Sequence, residues 1–485
     1  MPIDSTSKYN STMPPSENAP MQLENAVSAS TSLVKRTQVA TDHIIVMARY
    51  PEAGRTKTRL IPALGDDGAA ALHTMLVKQT LATVDDFFKT HACDVEVRFV
   101  GGDETSMRQL FDLNPNSHRE FLPQQGDSLG DRMSDAVANA FDEGARRVVL
   151  VGTDCPSLTA FHIANAFGAF DYCDVVLGPA TDGGYYLLGM KEFHPELFCH
   201  IDWGTDQVLQ KTLQNAKWIS ASVSQLSPLP DTDFPEDLVT CRRLGFNYSP
   251  VLPQSESGVL SVIIPTFNEE SNIERLLKSF QPDPRIEIIV ADGGSTDRTC
   301  EVAEQAGARI VGCGNGSGRQ MNAGAALARG TAFLFLHADA ELPADFDTTI
   351  WTCLSSNNAG GAFQLRIDDD RWLLRLVEMG ANLRSRWRQM PYGDQGLFLR
   401  ATTFFEMNGY ANWPIMEDFD FVQRLRCIGT IAIADSTMKV SARRWKRIGV
   451  LKATLLNQII IAAFKLGVSA EKLAMIYSRS GRPQV

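Results

Sequence analysis

Phe333-Leu-Phe-Leu-His-Ala-Asp-Ala-Glu-Leu-Pro343 is a short apolar run that stops on His337 and Asp339. A continuous run of this length reads as a strand covered on both faces. Side chains two apart on extended backbone point to the same side, so His337 and Asp339 share a face at the strand's end. Similar runs recur at His43-Ile-Ile-Val-Met-Ala, Val148-Val-Leu-Val, Val259-Leu-Ser-Val-Ile-Ile and Ile286-Glu-Ile-Ile-Val. Helical stretches separate them, among them Gly68 to Phe88, Asn272 to Phe280 and Thr299 to Ala306. Alternating strands and helices predict α/β architecture with mostly parallel sheets.

The chain has 485 residues, 44% hydrophobic and 21% charged, enough for two cores. Residues 1–41 are rich in Ser, Thr, Asn and Pro and read as a disordered extension without a signal peptide. Asn247-Tyr-Ser-Pro-Val-Leu-Pro-Gln-Ser-Glu-Ser-Gly258 reads as a linker. It divides a domain at 42–246 from one at 259–485; the two do not repeat as sequence but could repeat as fold. A net charge of −11 argues against a nucleic-acid partner. Nine cysteines with no Cys-x-x-Cys indicate a reducing, cytoplasmic setting. No apolar run reaches the ~18 residues of a membrane span. The segment 450–464 reads either as a core helix or as an amphipathic one lying on the inner membrane face.

In the C-terminal half, Ser261-Val-Ile-Ile-Pro-Thr-Phe-Asn-Glu-Glu270 runs from a strand into a turn and helix, which Asn268 or Ser271 could cap. Glu287-Ile-Ile-Val-Ala-Asp-Gly-Gly-Ser-Thr-Asp297 delivers Asp292 to a strand's carboxyl end, where open α/β sheets bind ligands. Asp292 could accept from a nucleobase or ribose, or simply start the turn. Asp339 is the hard oxygen that a divalent cation bridging a diphosphate needs. Ile415-Met-Glu-Asp-Phe-Asp puts Glu417 and Asp418 at a helix start. Asp418 there could take a proton from an attacking hydroxyl, or merely favour the helix dipole.

These elements, in this order and spacing, resemble the family 2 glycosyltransferases over roughly residues 259–480. The resemblance implies a nucleotide site built from Pro265, Asn268, Glu269, Asp292 and Gly293, with Asp339 as the last acid of an Asp-x-Asp metal motif and His337 replacing its first. It makes Asp418 the base beside Glu417. Gly318-Arg-Gln-Met-Asn322 matches the family's Arg/Asn segment, so Arg319 and Asn322 become donor residues. Ser441-Ala-Arg-Arg-Trp445 resembles the Gln-x-x-Arg-Trp motif and assigns Arg444 and Trp445 to the donor. With Ser441 in place of Gln, it argues against a processive synthase. Gly393-Asp-Gln-Gly396 reads as a tight turn or as an acceptor loop with Asp394 and Gln395. The wording of Phe335-Leu-His-Ala-Asp and of these last two motifs is similar to a subgroup associated with arsenosugar biosynthesis.

In the N-terminal half, Gly54, Lys57 and Arg59 follow the first strand within Pro51-Glu-Ala-Gly-Arg-Thr-Lys-Thr-Arg-Leu60. A glycine-containing loop with cations can cradle phosphates, although a basic surface loop would look the same. Asp154, Asp182 and Asp233 lie on loops between strands and could hold one metal. The set resembles GT-A nucleotidyltransferases and a little-characterised GT-A-like family that neighbours, or is fused to, the glycosyltransferase above. Together the resemblances imply two GT-A-like, Rossmann-like nucleotide-diphosphosugar transferase domains in tandem, using Mg²⁺ or Mn²⁺. The implied function is glycosyl transfer from a nucleotide-diphosphate sugar to a hydroxyl acceptor, with inversion. The N-terminal half could instead make that donor by nucleotidyl transfer, or serve as a scaffold that binds nucleotide.

Overall fold

The computed structural model describes residues 41–112, 119–246 and 256–478, with only the backbone of Glu256, Ser257, Arg444 and Ser478. The expected extension at 1–40 and the linker residues 247–255 lie outside the described residues. The described residues fall in one compact unit.

The N-terminal sheet has seven strands: β1 Asp42–Arg49, β2 Cys93–Val100, β3 Arg119–Pro123, β4 Arg147–Gly152, β5 Val175–Pro179, β6 Tyr185–Met190 and β7 Val223–Gln225. Its order is β3-β2-β1-β4-β6-β5-β7. β6 runs antiparallel to β4 and β5, and the other pairings are parallel. The C-terminal sheet has eight: β8 Glu256–Thr266, β9 Ile286–Asp292, β10 Arg309–Gly312, β11 Gly330–Phe335, β12 Ala340–Glu341, β13 Gly360–Asp368, β14 Leu397–Arg400 and β15 Ile431–Ser441. Its order is β10-β9-β8-β11-β14-β13-β15-β12. β14 is antiparallel to β11 and β13, in the position that β6 takes in the first sheet. The two halves therefore repeat as fold, with the short antiparallel β12 added to the second.

The repeat follows from burial. Ile44, Ile45 and Val46 of β1, and Val262, Ile263 and Ile264 of β8, are fully buried, as strands covered on both faces must be. In each sheet the chain leaves the first strand to build one side and returns beside it with the fourth. The carboxyl ends of β1/β4 and of β8/β11 are thus topological switch points, where a crevice opens.

One hydrophobic core joins the halves. Leu60, Leu72 and Leu76 beside the helix Ile61–Phe88, with Leu238 and Val239, pack into the cluster that holds Met321, Ala325 and Phe404. Arg242 Nη1 adds hydrogen bonds of 2.9 Å to the carbonyls of Ala326 and Ala328. Within the second half, Gly324 lets the helix Ser317–Leu327 lie close on β8: a Cβ there would lie 2.5 Å from Ile263 Cγ2.

Two local expectations are corrected. Neither Asn268 nor Ser271 caps the helix Glu270–Ser279, whose N-cap position is Glu269. Asn268 stands at φ 54° and its Oδ1 accepts from the N–H groups of Thr296 and Asp297, tying two strand-end loops together. β8 begins at Glu256, inside the segment read as linker. Among the described residues no helix is long and apolar enough to cross a membrane.

Candidate active site

The carboxyl end of β11 carries the chain through Leu336 to His337, which is exposed, and Asp339, which is half-buried. Facing them is the start of the helix Glu417–Ile428, with Glu417, Asp418 and Asp420 in its first turn. Met416 enters that helix at φ 72°, a left-handed conformation that non-glycine residues seldom adopt. Asp418 Oδ1 accepts from Phe419 N–H at 2.7 Å, and Oδ2 from Gly393 N–H at 3.0 Å. Gly393 is the closest point between the two sides. A Cβ there would lie 3.4 Å from Asp418 Oδ2 and 3.6 Å from His337 Nε2. The missing side chain keeps open a notch of about 30 Å³ that Pro265, Ser317, His337, Glu417 and Asp418 line. That volume admits a water or a hydroxyl group, not a nucleotide. A nucleotide must lie outside the notch, along the strand ends.

Several residues expected at the donor or acceptor are committed elsewhere. Asp292 is buried, and its oxygens accept from Gly294 N–H, Ser295 N–H and the Ser295 and Thr266 hydroxyls. It holds the loop at Gly293 and presents no open oxygen to a base. Asn322 is buried with its amide clamped on the Tyr410 backbone, at 2.9 and 2.8 Å. Gln395 is fully buried, accepting from Ser385 Oγ at 2.8 Å and donating to Phe363 O at 3.0 Å. Trp445 sits in the core beneath β13 and β15. The side chain of Arg444 lies outside the described residues. Arg319 is on the surface, donating to Asn412 Oδ1 at 2.6 Å. Asp394 stays on the turn Gly393–Gln395 beside the notch.

Arg443 is the residue that sequence reasoning missed. Its guanidinium bridges Asp339 Oδ2 at 3.1 Å and Glu269 Oε1 at 3.2 Å, so two candidate donor residues meet on one cation. The only local signal was its place in Ser441-Ala-Arg-Arg-Trp445. Its partners lie far away in sequence.

The N-terminal site is organised by an ammonium rather than around a metal. Lys57 Nζ lies 2.6 Å from Asp154 Oδ1 and 2.9 Å from Asp233 Oδ1, and donates to Thr232 O at 2.8 Å. Arg59 holds the other Asp233 oxygen at 3.1 Å. Burial alone would lower the Lys57 pKa, but the two carboxylates outweigh it and raise it above the ordinary value. Burial works against the Asp154 carboxylate too, and Lys57 holds its pKa below the usual range. Lys57 therefore occupies the place expected for a cation between Asp154 and Asp233, and it is not free to hold a phosphate. Asp182 is apart from that pair: its Oδ1 accepts from Gly184 N–H at 2.8 Å, and its charge acts on Asp231. Among the described residues no group of three or more His, Cys, Asp or Glu is placed to hold a metal. Gly54 turns the loop at φ 78°, and a cleft of about 410 Å³ opens there, lined by Arg49, Arg55, Arg59, Arg132 and His73 and floored by the Lys57, Asp154 and Asp233 group.

Asp231 is a second missed group. Burial, then the neighbouring Asp182, push its carboxyl up to about 7. The folded pKa exceeds the unfolded value, so the native state binds the extra proton and stability falls as pH rises from about 4 to about 7. Asp231→Asn is expected to raise the melting midpoint strongly at pH 8, less at pH 5, and to leave it unchanged near ~pH 3, below the unfolded pKa. Equal effects at all three pH values would refute this account.

Convergent His and Asp side chains at the carboxyl ends of a switch-point sheet, with room for a hydroxyl between them, define an α/β transferase-type site. Residues 261–410, in the C-terminal half, match the family model "Glycosyl transferase family 2". Residues 83–205 match the family described as "Uncharacterized protein conserved in bacteria (DUF2064)". The chain is 39% identical over 92 residues to 4,4'-diaponeurosporenoate glycosyltransferase of Staphylococcus haemolyticus, a match spanning 17% of this chain and only 24% of that relative. It is 28% identical over 228 residues to the PGL/p-HBAD biosynthesis glycosyltransferase of Mycobacterium bovis, covering 41% of this chain and 81% of the relative. Among solved structures, a provisionally assigned nucleotide-diphospho-sugar transferase from Desulfovibrio desulfuricans G20 is 32% identical, covering 43% of this chain and 89% of its own, with a TM-score of 0.38. Glucosyl-3-phosphoglycerate synthase from Mycobacterium tuberculosis, in complex with Mn²⁺ and UDP, is 20% identical over 38% of this chain and 70% of its own, with a TM-score of 0.28.

Proposed function

We propose that the C-terminal half transfers a glycosyl group from a nucleotide-diphosphate sugar to a hydroxyl of a small-molecule or lipid-linked acceptor, with inversion. The observation that carries this reading is the hydroxyl-sized notch in which Asp418 faces His337 across the unsubstituted Gly393. Asp418 takes the acceptor proton as the acceptor oxygen bonds to the anomeric carbon. The bond to the diphosphate breaks and its electron pair leaves with the nucleoside diphosphate. One displacement inverts the centre, and no enzyme nucleophile is required.

A Mg²⁺ or Mn²⁺ ion fits Asp339 in a limited sense. Ions that arrive with a diphosphate need only one or two protein carboxylates, water and phosphate oxygens supplying the rest. That agrees with a lone half-buried acid and, among the described residues, no preformed three-ligand group. When bound, such an ion would neutralise charge on the leaving diphosphate. Asp339→Asn is expected to raise the Mn²⁺ concentration needed for nucleoside-diphosphate binding roughly tenfold or more, the scale of one lost contact to a charged group. An unchanged titration would remove Asp339 from this role.

The narrower acceptor reading, an arsenosugar precursor, rests on the motif wording of Phe335-Leu-His-Ala-Asp, Gly393-Asp-Gln-Gly and Ser441-Ala-Arg-Arg-Trp445 alone. In the N-terminal half, the arginine-lined cleft of about 410 Å³ is proposed to take a phosphate-bearing ligand, with Arg49, Arg55 and Arg132 in place of Lys57. The deciding experiment is a thermal-shift and turnover screen of nucleotide-diphosphate sugars with Mn²⁺ on the full chain. Sugar transfer supports the reading. Pyrophosphate release from a nucleoside triphosphate and a sugar phosphate would show nucleotidyl transfer in the N-terminal half instead.

A further inference from the structure

The helix Trp372–Arg388 is apolar on two sides. Its buried face is Leu374, Glu378, Ala381 and Ser385, and its outward stripe is Trp372, Leu376, Met379, Leu383 and Trp387. Spacings of four, three, four and four put those five on one side of a helix. Trp372 and Trp387 are 69% and 82% exposed. Glu378 is held inside by Arg375, at 2.7 Å, and by the N–H of Ile367. Leu373, Leu374, Val377 and Ala381 pack inward beside Glu378 and Ser385, while the stripe from Trp372 to Trp387 stays exposed among the described residues. A contiguous exposed stripe of this kind marks an interaction surface.

The helix Val450–Lys465 packs beside it and turns Leu451, Leu455 and Ile459 outward as well, while Val450, Ala453 and Ile460 are buried. Charge identifies the occupant. Residues 371–388 and 443–465 contain eleven Lys and Arg and one acid, the inward Glu378; Arg371, Arg375, Arg386, Arg443 and Lys446 pair with carboxylates, while Arg388, Arg447 and Lys452 are exposed and make no ion pair among the described residues. Exposed Trp and Leu beside Lys and Arg are the composition of helices that lie in a lipid interface.

The surface also connects to the notch. Arg384, near the end of the first helix, donates to Met390 O at 2.9 Å, and its guanidinium lies 3.5 Å from the ring centroid of Tyr392. The next residue, Gly393, donates to Asp418. We propose that helices Trp372–Arg388 and Val450–Lys465 together seat the protein on an anionic lipid surface and bring the notch to it. The acceptor is then an amphiphile whose hydroxyl is presented from the bilayer; this part rests on the glycosyl-transfer reading above.

The test is flotation of the full chain with phosphatidylcholine vesicles, with and without phosphatidylglycerol. Wild type is expected to float with the phosphatidylglycerol vesicles, to be released by high salt, and to show a blue shift of Trp emission. Leu376→Glu combined with Leu383→Glu changes two exposed positions. It is expected to keep its melting midpoint and lose lipid binding at least about tenfold, as two apolar contacts are lost. Wild type that stays unbound, or a variant that floats as well as wild type, would overturn the proposal. So would a wild-type dimer that the variant converts to monomer without any lipid binding, which would make the face a subunit contact. Asp418→Asn should float like wild type, so failure to bind lipid is distinguishable from failure to transfer sugar.

Discussion

Asp418→Asn is expected to lower turnover by roughly 10²- to 10⁴-fold, the range that a positioned general base contributes. The substitution keeps the size of the side chain and one acceptor oxygen. It can still satisfy either Phe419 N–H or Gly393 N–H, so the notch should persist at a cost of about 1 kcal/mol for the other bond. What it removes is the ability to accept a proton. Nucleoside-diphosphate binding should therefore be retained while kcat collapses, the pattern of an interaction made only in the transition state. The measurement is steady-state transfer from a nucleotide-diphosphate sugar, alongside calorimetry with the nucleoside diphosphate. Turnover within about threefold of wild type would remove Asp418 from the chemistry.

Elements that depend on local pattern were legible in the sequence. Apolar runs located β1, β4, β8, β9 and β11, and the strand-end rule put His337 at the mouth of the opening that Glu417 and Asp418 also line, with Asp339 held beside it by Arg443. A repeated strand order was conceivable from the sequence but had no local signal, because the insertion of β6 between β4 and β5, and of β14 between β11 and β13, is a long-range pairing. What stayed hidden was which polar side chains are available. Asp292, Asn322 and Gln395 look the same in sequence whether they face a ligand or satisfy backbone. Asn322 and Gln395 take partners distant in the chain, Tyr410 and Phe363, whereas Asp292 is satisfied mostly within the turn it starts, by Gly294 and Ser295. A buried polar group must be paired, so each became a structural bond once the fold enclosed it. The stripe of Trp372–Arg388 failed in the opposite sense. Helical periodicity shows that a helix has an apolar side, but not that this side faces out.

The charges of the N-terminal half show the same limit, and Lys57→Met tests it. Read singly, Lys57 was a phosphate holder and Asp154 and Asp233 were metal ligands; in the fold they neutralise one another. Lys57 has a side chain only 7% exposed, whereas Asp154 and Asp233 are 50% and 32% exposed. Removing one member of a fully buried pair costs about 3–5 kcal/mol because the other charge is stranded. Partial solvation of both carboxylates, and the Arg59 contact to Asp233, reduce the expected loss to about 2–3 kcal/mol. The readout is the denaturant midpoint of the unliganded chain. A lysine that served only a phosphate would leave that midpoint within the roughly 0.5 kcal/mol of an ordinary surface substitution. Adding Asp154→Asn to Lys57→Met should recover much of the loss, since no stranded carboxylate then remains at Asp154 and Arg59 still pairs with Asp233. If the double variant is no more stable than the single one, the cost lies in packing rather than charge, and the place between the two acids is open to a ligand after all.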